Sequence, residues 1–204
     1  MHMILEFVEQ PNEGRVQDVR FEVKDLSRLG DLLGISPILE NAVYELSEDE
    51  VKDLSCCFGL AIKIPASCSA QLRSHHWTDE LPYKVHTRSE LALMLDGVKP
   101  LAVFSDQYPP GEYSVIPEKA FDSHVETGRF VKRSYVALSK NGHSLRVLYS
   151  LPTEEWRIDA YILMWNTASR SGWNNGFERM EGYLLGYEEW QCDAYFAIRQ
   201  KRKA

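Results

Sequence analysis

The chain has 204 residues, a net charge of −7, and 44% hydrophobic and 26% charged residues, a composition ordinary for a soluble globular protein with a sizeable core. No apolar run is long enough to span a bilayer, the start Met1-His2-Met3-Ile4-Leu5-Glu6 has no signal-peptide features, and Cys56, Cys57, Cys68 and Cys192 form neither a Cys-x-x-Cys pair nor a zinc-like ladder. Those absences argue against membrane, secreted and structural-zinc classes and predict reduced thiols in a cytoplasmic protein.

In chain order, residues 4–9 read as a strand and Pro11-Asn12-Glu13-Gly14 as a turn. Residues 15–24 then alternate through Val16, Val19, Phe21 and Val23 with one slip, completing a first hairpin. A short helix over 25–33 closes at Gly34. Ser47-Glu48-Asp49-Glu50 is a capping box that starts a helix running to about Cys57. Residues 59–86, interrupted by Pro65 and Pro82, give no clear pattern. Thr87-Arg88-Ser89-Glu90 is a second capping box, followed by Leu91, Met94 and Leu95 on one helical face and Gly97 as the stop. Residues 99–104 read as a buried strand, Tyr108-Pro109-Pro110-Gly111 as a loop, and Pro117 as the first residue of a helix ending at Gly128.

Residues 129–139 and 144–151 form the clearest β element. Asn141-Gly142 between them favours a type I′ turn, which predicts Leu138 opposite Leu145 and Val136 opposite Val147. One face then carries Val136, Leu138, Leu145, Val147, Tyr149 and Leu151, a core face. The other carries Val131, Arg133, Tyr135, Ala137, Arg146 and Leu148. Three helices follow from Thr153 onward, holding four of the five Trp residues. The first, from Glu154 to about Ser169, is apolar over most of its circumference and is expected to be largely buried, with Asp159, Asn166 and Arg170 as its polar stripe. Phe177, Met180 and Leu184 line the second. Trp190, Ala194, Ala197 and Ile198 line the third, which ends in a basic tail. Gly30-Asp31-Leu32-Leu33-Gly34-Ile35 echoes Gly182-Tyr183-Leu184-Leu185-Gly186-Tyr187, which suggests one helix-ending solution used twice.

Charge is unevenly placed: residues 1–60 hold 13 acidic and 5 basic residues, and residues 61–204 hold 17 and 18. No acidic residue lies between Glu126 and Glu154, a stretch holding Arg129, Lys132, Arg133, Lys140 and Arg146. Arg133, Tyr135 and Arg146 on the second hairpin face, with His143 at the turn, are the candidate binding residues, since paired guanidinium groups beside a ring hold carboxylates, phosphates or bases. The histidine segment offers candidate catalytic residues, because His75 with Asp79 and His76 with Glu80 would meet at i, i+4 on a helix. No metal site is read from the spacings, and no phosphate loop, dinucleotide-binding glycine motif or nucleophile elbow occurs, so no cofactor is expected.

These readings predict an α+β fold over 1–204, an antiparallel sheet including the 129–151 hairpin packed against helices with a C-terminal three-helix layer. One continuous domain is expected, with residue 86 as the alternative dividing point. The expected function is a non-enzymatic cytoplasmic binding or regulatory protein that recognises an acidic partner, preferably a protein, through the basic hairpin face. The same charge layout allows a homo-oligomer. The alternative is a hydrolase or transferase acting on a phosphorylated or acidic small molecule, and the third reading is single-stranded nucleic-acid binding, disfavoured by the overall acidity.

Overall fold

Along β1 (His2–Glu9), Met3, Leu5 and Phe7 alternate with Ile4, Glu6 and Val8, and all six are buried. In the computed structural model, which describes residues 1–9, 14–35, 37–39, 42–109, 114, 116–139 and 142–203, this strand is central to an antiparallel sheet. It pairs with β2 (Gly14–Glu22) and β4 (Cys68–Ser74), and β3 (Val43–Leu46) pairs with the far edge of β4, giving the order β2-β1-β4-β3. This sheet lies in the first of two compact units, Met1–Ser89 and Glu90–Ala204. Helices α1 (Leu26–Leu33) and α2 (Glu48–Phe58) cover the side bearing Met3, Leu5, Phe7, Ala70 and Leu72. Both helices start as their sequences dictate. Asp25 accepts the Ser27 N–H at 3.0 Å, and Ser47 and Glu50 form the expected reciprocal capping box.

Two features of this unit refine the sequence reading. The slip in the β2 alternation is a register shift in its pairing with β1. Phe7 pairs with Gln17 and Val8 with Arg15, so Val16 is the extra residue of a β-bulge. The stretch without clear pattern contains β4, whose Cys68, Ala70 and Leu72 face the core while Ser69, Gln71 and Arg73 take the other side. The turn read at residues 11–14 lies outside the described residues apart from Gly14.

The second unit builds its sheet from β5 (Leu101–Gln107), β6 (Val131–Ser139) and β7 (Gly142–Ser150), in the order β5-β7-β6, again antiparallel. One side packs on α3 (Glu90–Leu95) and α4 (Glu118–Glu126) through Met94, Ala102, Phe121, Phe130, Val147 and Tyr149. The opposite side packs on α5 (Trp156–Ser171) and α6 (Asn175–Leu184) through Leu101, Leu148, Ile158, Tyr161, Met164 and Leu184. Helix α7 (Glu189–Lys203) completes the C-terminal trio. The chain is thus an α+β fold of two antiparallel sheets packed with helices.

Several boundaries and faces differ from the sequence reading. Helix α3 begins at Glu90, so Thr87 does not cap it. A short 3-10 turn at Pro152–Glu154 precedes α5, and Asn174 caps α6 by accepting from Gly176 and Phe177. In α5 only Ile158, Tyr161, Met164 and Ala168 are buried, and Leu163 on the outside is 67% exposed. One buried stripe suffices because α5 lies against the sheet on one side only, so the expectation of a largely buried helix is corrected. In α7 the buried residue is Phe196, while Trp190 is exposed. In the hairpin, Val136 pairs with Leu145, Leu138 with His143 and Ser139 with Gly142. The register is two residues from the expected one, with the loop closing between Ser139 and Gly142. A slip of two preserves the faces, so Arg133, Tyr135, Arg146 and Leu148 still share one side. Residues 140 and 141, including the expected turn asparagine, lie outside the described residues.

The echoed glycine motifs do end their helices alike. Ile35 N–H donates to Gly30 O at 2.8 Å, and Tyr187 N–H to Gly182 O at 2.9 Å. Gly34 and Gly186 both take positive φ, 62° and 89°. A Cβ on Gly30 would lie 2.4 Å from the Ile35 carbonyl oxygen, whereas one on Gly34 would meet nothing. Gly34→Ala is therefore expected to cost about 1 kcal/mol through its left-handed φ. Gly30→Ala is expected to cost more, about 2–3 kcal/mol, by forcing the Ile35 backbone out of its bond. Urea denaturation of the two variants checks the order.

Candidate functional site

The histidine segment sits in the first unit and is held by structural contacts. It forms a four-residue 3-10 helix, Trp77–Glu80, capped by His76. His76 Nδ1 is 2.8 Å from Thr78 Oγ1, and the His76 N–H donates to Asp79 Oδ2 at 2.7 Å. Asp79 takes a two-pronged contact from Arg73, Nη1 and Nη2 each donating at 2.7 Å. Arg73 also donates from Nε to Glu6 Oε1 at 2.8 Å, and Arg88 stands 3.7 Å from the same carboxylate. Glu6, Arg73 and Asp79 are buried side chains. Burial pushes the Asp79 carboxyl up, but the Arg73 guanidinium and the His76 N–H more than offset this and leave it below its ordinary value. The short 3-10 geometry replaces the α-helix that would bring His75 to Asp79 and His76 to Glu80 at i, i+4. Asp79 serves as the anchor that ties this segment to the sheet.

The hairpin residues sit in the second unit, on a face covered by helix. Ser105, Arg146 and Tyr135 lie in one row across β5, β7 and β6, so their side chains share one side of the sheet. Arg146 is only 8% exposed. Its Cζ lies 3.5 Å from the centre of the Trp165 ring, a distance that fits only a face-on stack, since a perpendicular guanidinium would drive a nitrogen into the indole. Nη1 reaches Tyr161 Oη at 3.5 Å, and that hydroxyl donates to Glu181 Oε1 at 2.9 Å. Arg146 Nε and Tyr135 Oη are buried and have no hydrogen-bond partner among the described residues; Ser150 Oγ, further along β7, is the same. A buried donor left unpaired costs about 1–3 kcal/mol, so this corner of the core carries unused hydrogen-bonding capacity.

Arg133 occupies the same face but points to the border of α5, where it pairs with Asp159 and, at 3.4 Å, with Glu155. Asp159 thus has a cationic partner from the hairpin. His143, paired with Leu138 near the tip, is exposed and on the opposite face. The structure therefore brings Tyr135 and Arg146 together, gives Arg133 a separate role clamping α5, and leaves His143 apart.

Sequence reasoning missed Trp165, Tyr161 and Glu181. Two signals were present. Tyr161 and Trp165 are four residues apart on one helix, and their rings lie 6.5 Å apart and nearly parallel. Glu181 falls between Phe177 and Leu184 at i+4 and i−3, placing a carboxylate in the apolar stripe of α6. Its burial pushes the carboxyl up, opposed by the Tyr161 hydroxyl and the charge of Arg146. The Tyr161 hydroxyl is itself pushed up by burial and by Glu181, and Tyr135 by burial against the opposing charge of Arg146. The cluster is a stacked cation, two phenols whose ionisation burial opposes, and a carboxyl raised by burial and lowered by the Tyr161 hydroxyl and the charge of Arg146. Among the described residues, no group of three or more His, Cys, Asp or Glu could hold a metal ion, and no helix is long and apolar enough to cross a membrane.

No protein-family model matches this chain, nor does any curated protein or solved structure.

Two measurements test the electrostatics. Arg73→Met is expected to destabilise the protein by about 3–5 kcal/mol, because it leaves the Glu6 and Asp79 carboxylates buried without their shared cation; chemical denaturation reads this. For Glu181 the folded carboxyl titrates above the ordinary value of 4.5. The unfolded chain therefore ionises first, and stability present at lower pH is lost as pH rises through the folded value. Glu181→Gln keeps an acceptor for Tyr161 and removes the titration. As pH rises above the ordinary carboxyl value of 4.5, its Tm is expected to lose less, relative to its value at lower pH, than that of the wild type, as followed by thermal melts.

Proposed function

We propose that this chain is a non-enzymatic binding protein that recognises an acidic partner through the hairpin face of its second unit, with Arg146 as the cation that receives the acid. The observation that carries this reading is the Arg146 guanidinium, buried and stacked on Trp165 with its Nε unpartnered among the described residues. A guanidinium in low dielectric gains far more from an anion than one in water, and its planar fork suits an oxygen acid. Because Arg146 lies beneath α5 and Arg133 is engaged by Asp159 and Glu155, the contact is one acidic group entering the site. A protein partner would present a single acidic side chain or chain end, and a second copy of this chain, with its acidic first 60 residues, belongs to the same class of partner. The enzymatic alternative has less support, since Asp79 is already bound by Arg73 and by the cap at His76.

Fluorescence anisotropy of a labelled glutamate-rich peptide at low ionic strength tests this. Wild-type protein is expected to bind it, and Arg146→Gln to bind at least about tenfold more weakly, in line with loss of a charge-assisted contact. Arg133→Gln is expected to change binding far less. Equal binding by wild type and Arg146→Gln would refute the reading. Sedimentation velocity of the same proteins reports whether a second copy is the partner.

A further inference from the structure

We infer that strand β6 is an open docking edge, and that its occupant is an extended, basic segment of another protein that adds a fourth strand to the second sheet. The inference does not use Arg146. It starts from the direction of the backbone. Tyr108 N–H donates to His143 O at 3.2 Å and Leu151 N–H to Pro100 O at 3.1 Å, so the odd-numbered residues of β7 turn their backbone groups toward β5. Direction alternates along an antiparallel strand, and the even-numbered residues of β7 therefore bond to β6. Their partners there are Arg133, Tyr135 and Ala137, opposite Leu148, Arg146 and Ser144. The backbone N–H and C=O groups of Lys132, Ser134 and Val136 point the other way, to the side on which β6 has no neighbouring strand. No backbone group among the described residues bonds to them there.

That edge is reachable and unguarded. Ser134 is exposed and Val136 is 40% exposed, so solvent reaches the outward positions. Sheet borders are ordinarily blunted by a bulge, a proline, a short strand or a lysine. Strand β6 runs nine residues, contains no proline, and pairs with β7 without a register shift. Its one lysine does not guard the edge. Lys132 Nζ is held 2.9 Å from Glu118 Oε2 and 2.8 Å from Asp122 Oδ1, so covering it leaves no lone charge behind. The borders of the first sheet differ, since β2 carries a bulge at Val16 and β3 is four residues long.

Charge selects the occupant. On one face of the strand Lys132 is met by Glu118 and Asp122 of α4, and on the other Arg133 is met by Glu155 and Asp159 of α5. Each cation faces two carboxylates, and all four carboxylate side chains are at least 40% exposed. One negative charge is left over on each side. A docked strand with lysine and arginine at successive positions puts one cation on each side, where it meets that surplus. An acidic strand would add like charge, and a second copy of this chain would bring the same acidic surplus with it. Val136, at an outward position, offers an apolar pair to a β-branched residue opposite it.

Fluorescence anisotropy of the whole chain at low salt tests this. The probe is an N-terminally labelled, C-terminally amidated Thr-Val-Lys-Arg-Val-Thr-Val peptide. One control carries glutamate in place of both cations. The other is the fully N-methylated peptide, which keeps its side chains and charge but has no backbone donors. Wild-type protein is expected to bind the basic peptide at least about tenfold more tightly than either control, the loss expected from reversed charge or a missing ladder. Val136→Pro removes one outward donor and none that β7 uses. It is expected to weaken binding at least about tenfold, while Val136→Ala stays within about threefold of wild type. Should Val136→Pro fail to fold, the N-methylated peptide still decides on the wild-type protein. Equal binding of the glutamate peptide, undiminished binding of the N-methylated one, or no binding of the basic peptide overturns the inference. Sedimentation velocity covers the remaining occupant: self-association that Val136→Pro abolishes, with no peptide bound, makes a second copy the partner and overturns the basic one. The Arg146 reading is tested with an acidic peptide and a different variant, so the two stand or fall separately.

Discussion

A charged residue on a strand that has neighbours at both edges and is buried itself must be met by the chain's own groups, and both units of this protein contain such residues. In the first they are Glu6 on β1 and Arg73 on β4, and in the second Arg146 on β7. The surrounding architecture follows from how each charge is accommodated. Glu6 is answered by Arg73 from the adjacent strand, and Arg73 in turn draws Asp79, so a segment with little helical character is drawn down onto the sheet. The arrangement is closed, with cation and carboxylates engaged in short, multiple contacts. Networks of this kind contribute more to choosing one conformation than to net stability, because desolvation offsets most of the attraction.

Arg146 is accommodated differently. Its charge is met by an indole face, a long contact to Tyr161 and, one step further out, a carboxyl. Aromatic cover stabilises a desolvated guanidinium by about 2 kcal/mol, which keeps it in the core without using its in-plane donors. The two units differ in how the charge is met: Glu6 and Arg73 have their hydrogen bonds filled by one another and by Asp79, whereas Arg146 Nε is buried with no hydrogen-bond partner among the described residues. Arg133 pairs with Asp159 and Glu155 at the exposed border of α5, while the buried Ile158, Tyr161 and Met164 pack that helix on the sheet.

Much of the fold was legible where local chemistry decides it. Capping at Ser47, helix ends at Gly34 and Gly186, and the facing of the 129–151 hairpin all follow from single-residue preferences or from the two-residue period of a strand. The hairpin register was wrong by two, yet the same period protected the assignment of faces. What was not legible depended on cover. Arg133 and Arg146 look equivalent on a strand, and only α5 separates an edge residue from a buried one. Leu163 and Ile158 are equally apolar, and only the sheet decides which of them is inside. Strand β4 alternates cleanly from Cys68 to Arg73, but Pro65 and Pro82 on either side obscured it. Glu181 was readable as a carboxylate out of place on an apolar stripe; the stripe was instead drawn through Met180, which is largely exposed.

The bulge at Val16 has a consequence for how the protein associates. Strand β2 forms one border of the first sheet and β3, only four residues long, forms the other. An uninterrupted border would present a ready row of amide donors and acceptors to any passing strand. The extra residue twists β2 away from that role, with Val16 turned 52% to solvent, and the brevity of β3 blunts the other side. Ribbon-by-ribbon accretion into fibrous assemblies is thereby discouraged on both borders of this sheet.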